Sequence, residues 1–313
     1  MTLTVLPWDS PFLHIGILIA ALAWDRWLGE PNVKIHPVVW MGNCIGFMRS
    51  KSPTNNVYAF LWGILMATIL PMVFATLAIL TFIPWIGIGI AVWLLTSSFA
   101  LRGLIDAGMH VSECLDKGDL SGARMGLRSL CSRDPEGLDE VLVSAAATES
   151  VAENCSDSLV APLFWFVLGG VPGALIYRCV NTLDAMVGYR GKYEWLGKAS
   201  ARLDDLLNLI PARLCAVFIL MVGSISKGAS LRFGLNTLLN DRNVTSSPNA
   251  GWPMAAISGL LQVELEKPNH YIIGKGFSGC SSIKLQLGCT ISERAMQLTA
   301  MITILILLGM GLL

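Results

Sequence analysis

From Ser52 to Leu101 the chain has not one Asp, Glu, Lys, Arg or His. An uncharged run of that length holds two segments of about 20 residues, each long enough to cross a bilayer as a helix. Pro84 in "TFIPWIG" predicts the turn between them. Four further apolar blocks follow the same logic. Ser10 to Trp24 is short. Ser158 to Tyr177 is interrupted by Gly-Gly and two prolines, and Leu206 to Ser226 by Pro211 and Arg213. Ala295 to Leu313 is uninterrupted. The pattern predicts an all-α, polytopic integral membrane protein with about five or six membrane segments, forming a single integral-membrane domain over residues 1–313. The interrupted blocks predict broken or re-entrant helices.

The longest polar stretch between spans, residues 102–158, reads as a helical cytoplasmic insertion leading into the membrane. In "KGDLSGARMGLRSLC", Asp119 is placed to cap a helix whose Leu120, Ala123, Leu127 and Leu130 share one face. In "RDPEGLDEVLVSAAATESVAENCSD", Asp134 reads as a cap and Pro135 as the first helical residue. Basic residues set the orientation. The first, Arg26, follows the first apolar block, which places residues 25–56 in the cytoplasm, and two crossings return 102–158 to the same side. The stretch from Arg178 to Arg202 also carries five basic residues. It lies outside if Ser158–Tyr177 crosses fully and inside if that segment dips in and returns; its basic content favours the inside.

Composition narrows the class. The 313 residues are 54% hydrophobic and only 14% charged, against roughly 25% charged in a soluble domain, and the mean hydropathy is +0.61. Zero net charge argues against a nucleic-acid partner. "ALA" at Ala21 to Ala23 resembles a signal-peptide cleavage site, but no Lys or Arg precedes the apolar run, so a membrane segment is expected there. Eight cysteines have no C-x-x-C or zinc spacing and read as small buried hydrophobes. "GKGFSG", Gly274 to Gly279, fits a dinucleotide fingerprint in spelling alone and reads as a flexible loop.

Candidate chemistry gathers where polar residues meet these blocks. Glu149 and Glu153 continue the apolar stripe of Leu138, Leu142 and Ala145, and Asp157 lies close to it, so these acids point where the helix buries its surface. Buried acids must be paired, for instance with Arg178 or Arg202, or hold a cation. Mg²⁺, which takes one or two carboxylates plus substrate phosphates, suits them. Tyr177, Asn181, Asp184 and Gly188 share one helical face in "YRCVNTLDAMVGYRGKY". Asp204 and Asn208 lie four apart in "SARLDDLLNLIPARL", flanked by Arg202 and Arg213. Acids, amides and arginines together are the composition of a phosphate and metal site. His36 in "IHPVV" is a base candidate or a structural contact beside Pro37. Trp252, in the tight turn Ser247 to Pro253, suits a large flat substrate or simple packing.

At this point "SRDPEGLDE", "ESVAEN", "DSLVAPLFW", "GGVPGALIYRCVNTLDAMVGYR" and "ASARLDDLLNLIPARL" closely resemble the adenosylcobinamide-phosphate synthase family of cobalamin biosynthesis, the CbiB/CobD family. "DRWLGEPNVKIHPVVWMG" resembles that family's opening motif and "SSPNAGWPMAAISGLLQVELEKPNHY" its late one. The resemblance covers almost the whole chain. Glu30 stands where Asp is expected, and Cys131-Ser132 where small or apolar residues are usual.

The resemblance implies a C–N ligase in a bacterial plasma membrane with its active site on the cytoplasmic side. Its reaction joins (R)-1-aminopropan-2-ol, or its phosphate, to a propionate carboxylate of adenosylcobyric acid. That condensation is uphill in water, which implies ATP and Mg²⁺, although no nucleotide motif is present. Glu149, Glu153 and Asp157 would hold the metal. Arg133, Arg178, Asn181, Arg190, Lys192, Arg202, Asn249 and Trp252 would bind phosphates and substrate. Asp184, Asp204, Asp205 or His36 would take the amine proton. Other late cobalamin-pathway membrane enzymes are the implied protein partners. The competing expectation is a transporter of a corrinoid or other solute, which broken apolar helices also suit.

Overall fold

The computed structural model describes residues 10–131, 134–189, 191 and 193–312. The protein is all-α and polytopic, with one small sheet. Among the described residues five helical stretches are long and apolar enough to span a bilayer: Pro11–Leu28, Asn56–Phe82, Gly87–Asp116, Glu140–Val187 and Ser282–Leu312. A sixth forms if Glu194–Leu207 and Leu209–Ser224, broken at Asn208, count together. The chain divides into two compact units, one of 1–100, 161–207 and 300–313, the other of 101–160 and 208–299.

The first unit contains α1 (Pro11–Leu28), α2 (Pro37–Ser50), α3 (Asn56–Ala75), α4 (Gly87–Thr96), α8 (Ala161–Val187) and α9 (Glu194–Leu207). Asn55 caps α3 by accepting from Val57 N–H at 2.9 Å. Twenty uncharged residues then rise about 30 Å, the hydrocarbon thickness. The turn expected at Pro84 is present. α4 opens directly after it with Gly87, where a Cβ would fall 1.8 Å from Thr81 O. α3 packs on α9 at Gly63, where a Cβ would meet Leu196 O at 2.0 Å. This is the small-residue contact that lets membrane helices approach closely. The break foreseen in the Ser158–Tyr177 block lies at Gly169 and Gly170, the latter at φ 60°, ψ −153°. The stretch 178–202 is no loop: helix runs to Val187 and resumes at Glu194.

The second unit contains α5 (Leu101–Asp116), α6 (Leu120–Leu127), α7 (Glu140–Cys155), α10 (Leu209–Ser224), α11 (Leu231–Asp241), α12 (Gly251–Leu261) and most of α13 (Ser282–Leu312). Asp119 caps α6 as expected, accepting from Gly122 N–H at 2.8 Å. The next helix starts later than expected. Asp134 only closes a local turn with Glu136 N–H, and α7 begins at Glu140 under the cap of Asp139, which accepts from Leu142 N–H at 2.9 Å. From Val143 to Ala152 α7 is buried on every face. A π-helical turn, Ser156–Val160, follows it.

The second unit also holds a sheet that the apolar pattern does not announce. β1 (Val263–Lys267) pairs antiparallel with β2 (Tyr271–Ile273) and parallel with β3 (Ser278–Gly279). β1 and β3 pack against α7. The Gly274–Gly279 stretch is therefore a turn from Gly274 to Phe277 that leads from β2 into β3. Five of the eight cysteines are buried, Cys44 is exposed, and none forms a disulfide.

Candidate functional site

Polar side chains cluster in each unit. In the second, the centre is Glu149, 3% exposed in the middle of α7. Removing a carboxylate from water costs several kcal/mol unless it is hydrogen-bonded. Tyr271, carried by β2, donates its hydroxyl to Glu149 Oε1 at 2.8 Å across 122 residues of sequence. Glu153 lies one turn on, half-buried, and Asp157 sits half-buried in the π turn. Such turns recur at functional sites because they re-aim side chains within a helix.

Among the described residues no group of three or more His, Cys, Asp or Glu side chains is placed to hold one ion. A closed protein cage is thus not the form of this acidic run. The donor set still fits Mg²⁺, which keeps waters and substrate phosphates and needs only one or two carboxylates. One pairing that the sequence left open goes elsewhere: Arg202 meets Asp205 at 3.8 Å with its side chain 79% exposed.

The same unit assembles a second group around Trp252 on α12. The guanidinium of Arg213 lies 4.7 Å from the indole centroid and donates to Asn249 Oδ1 at 2.7 Å. Asn249 is buried. The guanidinium of Arg242 lies 5.4 Å from the same ring. The glycine-rich turn is closed to anions, because its N–H groups face the chain's own acids. Gly274 N–H donates to Asp241 Oδ2 at 2.8 Å and Gly276 N–H to Glu264 Oε2 at 3.0 Å. No phosphate is cradled by donors spent in that way.

In the first unit, α8 carries Arg178, Asn181 and Asp184, and α9 carries Arg202, Asp204 and Asp205. α8 and α9 pack together, and Asn181 Nδ2 donates to Asp204 Oδ1 at 3.3 Å. Asp184 needs a glycine beside it: a Cβ on Gly188 would fall 2.0 Å from Asp184 Oδ1. His36 caps α2 with Nδ1, which accepts from Val38 N–H at 3.2 Å. The neutral ring then carries its proton on Nε2, so His36 is a donor there rather than the base that its residue type allowed. Burial holds its pKa below 6.5, the charge of Arg178 adds to the effect, and Glu30 opposes it. Arg178 has a buried Nε without a hydrogen-bond partner among the described residues. Arg133, Arg190 and Lys192 lie outside the described residues.

Sequence reasoning missed Tyr271 and Arg242, and noted Arg213 only as a flank. It also passed over Asp25, 3% exposed in the last turn of α1. An acid closing an apolar helix was the available signal for Asp25. Nothing in the local sequence marks Tyr271, whose role depends on a sheet folding against α7.

Fold and polar clusters together define a polytopic membrane protein that keeps ionisable and amide side chains in the interior of its helical units. Residues 18–298 match the model of the CobD/Cbib protein family, and the chain belongs to that family. It is 43% identical over 269 residues to the cobalamin biosynthesis protein CobD of Dehalococcoides mccartyi, covering 82% of this chain and 86% of that protein. Identity is 41% over 268 residues to a probable cobalamin biosynthesis protein CobD of Pyrococcus abyssi, covering 84% and 85%. For a similarly named protein of Methanothermobacter thermautotrophicus it is 37% over 273 residues, covering 87% and 91%. No solved structure matches the chain at a significant level.

Proposed function

We propose that this protein is a biosynthetic enzyme of the cobalamin pathway in a bacterial plasma membrane. It forms the amide between (R)-1-aminopropan-2-ol, or its phosphate, and a propionate of adenosylcobyric acid, giving adenosylcobinamide or its phosphate. Family membership supplies the pathway. The observation that carries the chemistry is Glu149, a buried carboxylate on a membrane helix, held by Tyr271 and followed by two half-buried acids.

In the proposed reaction the propionate oxygen takes the terminal phosphate of ATP, releasing ADP. The amine nitrogen then attacks the activated carbonyl, the C–N bond forms, phosphate leaves and the amine loses a proton. Mg²⁺, when bound, neutralises phosphate charge; Glu149, Glu153 and Asp157 are its ligand candidates. Asp204, oriented by Asn181, is the first choice for receiving the amine proton, with Asp184 and Asp205 next. His36 offers Nε2–H to developing negative charge. Arg178 serves the same end. Catalysis on this scheme is mainly positioning and charge neutralisation.

The test uses purified protein in detergent with adenosylcobyric acid, the amine or its phosphate, ATP and Mg²⁺. Amide product and matching ADP, seen by mass spectrometry, support the proposal. Corrinoid flux in proteoliposomes without product supports the transporter instead.

A further inference from the structure

We infer that the second unit carries a binding subsite for a phosphate-bearing ligand, built by Arg213, Arg242 and Trp252 at the start of α12. Only the identity of the ligand rests on the proposed function; the subsite stands on charge and donor geometry. Both guanidinium carbons lie close to one indole, at 4.7 and 5.4 Å from its centroid, so they are no more than about 10 Å apart. Neither arginine has a carboxylate at ion-pair distance among the described residues. Asp241, next to Arg242 in sequence, is turned to Gly274 N–H.

Two like charges on one ring repel, and an indole face offsets that without neutralising it. The donors are only partly used. Arg213 is braced by Nη1 to Leu209 O at 2.6 Å and Asn249 Oδ1 at 2.7 Å, and by Nη2 to Pro248 O at 3.4 Å, which leaves Nε–H and one Nη2–H. Arg242 spends one Nη1–H on Leu239 O at 2.6 Å and keeps its other four N–H donors. The Trp252 Nε1–H is buried without a partner among the described residues. α12 opens at the same place with no side-chain cap and no acid in its first turn, so its backbone dipole adds positive potential. The side-chain groups left unused there are cationic or donors. A phosphate dianion matches two guanidiniums in charge and forked geometry, whereas a single carboxylate would leave one charge uncompensated. The phosphate could belong to a small amine phosphomonoester or to a nucleotide.

Calorimetry on the intact protein in detergent tests this without turnover, using inorganic phosphate, aminopropanol phosphate and ATP in turn, with no corrinoid present. Arg242→Gln should weaken inorganic phosphate about tenfold, the loss of one charge-assisted pair, at unchanged melting temperature. Arg242→Lys should recover part of the loss. Arg213→Lys, which keeps the charge but not the fork, should weaken phosphate as well. Whichever of aminopropanol phosphate and ATP loses affinity in parallel is the natural source. Equal affinity of wild type and Arg242→Gln for phosphate overturns the subsite. Wild-type protein that makes amide but binds none of the three probes overturns the subsite and leaves the proposed function standing. Phosphate binding without amide formation does the reverse.

Discussion

Tyr271→Phe removes one oxygen and nothing else. That oxygen donates to Glu149 Oε1 at 2.8 Å, and Glu149 is only 3% exposed, so bulk water cannot take its place. A hydrogen bond to a charged, buried group contributes about 1.5–3 kcal/mol. The phenyl ring is retained, so packing loss is small. Where such a bond orients a metal-ligating carboxylate, its loss typically costs about 10–100-fold in metal affinity or activity. Tyr271→Phe should therefore raise the Mg²⁺ concentration for half-maximal amide formation by about tenfold, with unchanged yield and helicity. The partner variant Glu149→Gln should lose most activity, and the double variant should be no worse than Glu149→Gln alone. The assay is a Mg²⁺ titration of initial rates at saturating ATP, run on all four proteins as a double-mutant cycle. Equal Mg²⁺ dependence in Tyr271→Phe and wild type, or strictly additive losses, would refute the reasoning.

Four further outcomes are expected. The depressed pKa of His36 means the folded state resists the proton that the unfolded chain takes up near pH 6.5; its contribution is full above that pH and shrinks as pH falls below it. His36→Asn keeps a good cap and removes the titration, so melting temperature should drop less between pH 7 and 5.5 than in wild type, and parallel curves would contradict this. Gly63→Ala should destabilise by about 1–3 kcal/mol through overpacking against Leu196, whereas Gly89→Ala, with nothing within 4 Å, should be neutral when both are melted in detergent. Glu153→Gln should abolish ligation while leaving membrane insertion and corrinoid binding intact; full activity would move the search for the metal site to Asp184 and Asp204. A cysteine at exposed Lys117 should react with an impermeant thiol reagent only after cell lysis, and ready labelling of intact cells would invert the proposed topology.

Spans, turns and caps of the long apolar helices were legible because a bilayer demands uninterrupted hydrophobicity and leaves few ways to break it. Pro84, Gly169-Gly170 and Asp119 each did what their chemistry dictates. The start of α7 was misplaced because Asp134-Pro135 is as good a helix opening as Asp139-Glu140, and only packing chooses between them. The stripe assigned to that helix dissolves because α7 is enclosed on all sides, which burial of Glu149 required but periodicity could not disclose. The sheet was missed although "VELEK" alternates with period two and Pro268-Asn269 signals a turn; in a chain dominated by apolar helices five residues carry little weight. Asn181 and Asp204 were singled out separately, while their bond at 3.3 Å depends on how α8 and α9 pack.

The clasped glycine turn has a mechanical consequence. Asp241, at the end of α11, and Glu264, on β1, grip the two ends of one three-residue arc, Gly274 to Gly276. Helix, arc and sheet are thereby fastened into a single lever. Arg242 sits one residue beyond the Asp241 grip, and Tyr271 lies three residues before Gly274, the end of the arc that Asp241 holds. The Asp241 grip thus ties the residue next to Arg242 to the turn that follows the strand carrying Tyr271, whose hydroxyl meets Glu149. Loosening the clasp with Asp241→Asn should therefore uncouple two perturbations that are otherwise felt together, Arg242→Gln and Tyr271→Phe.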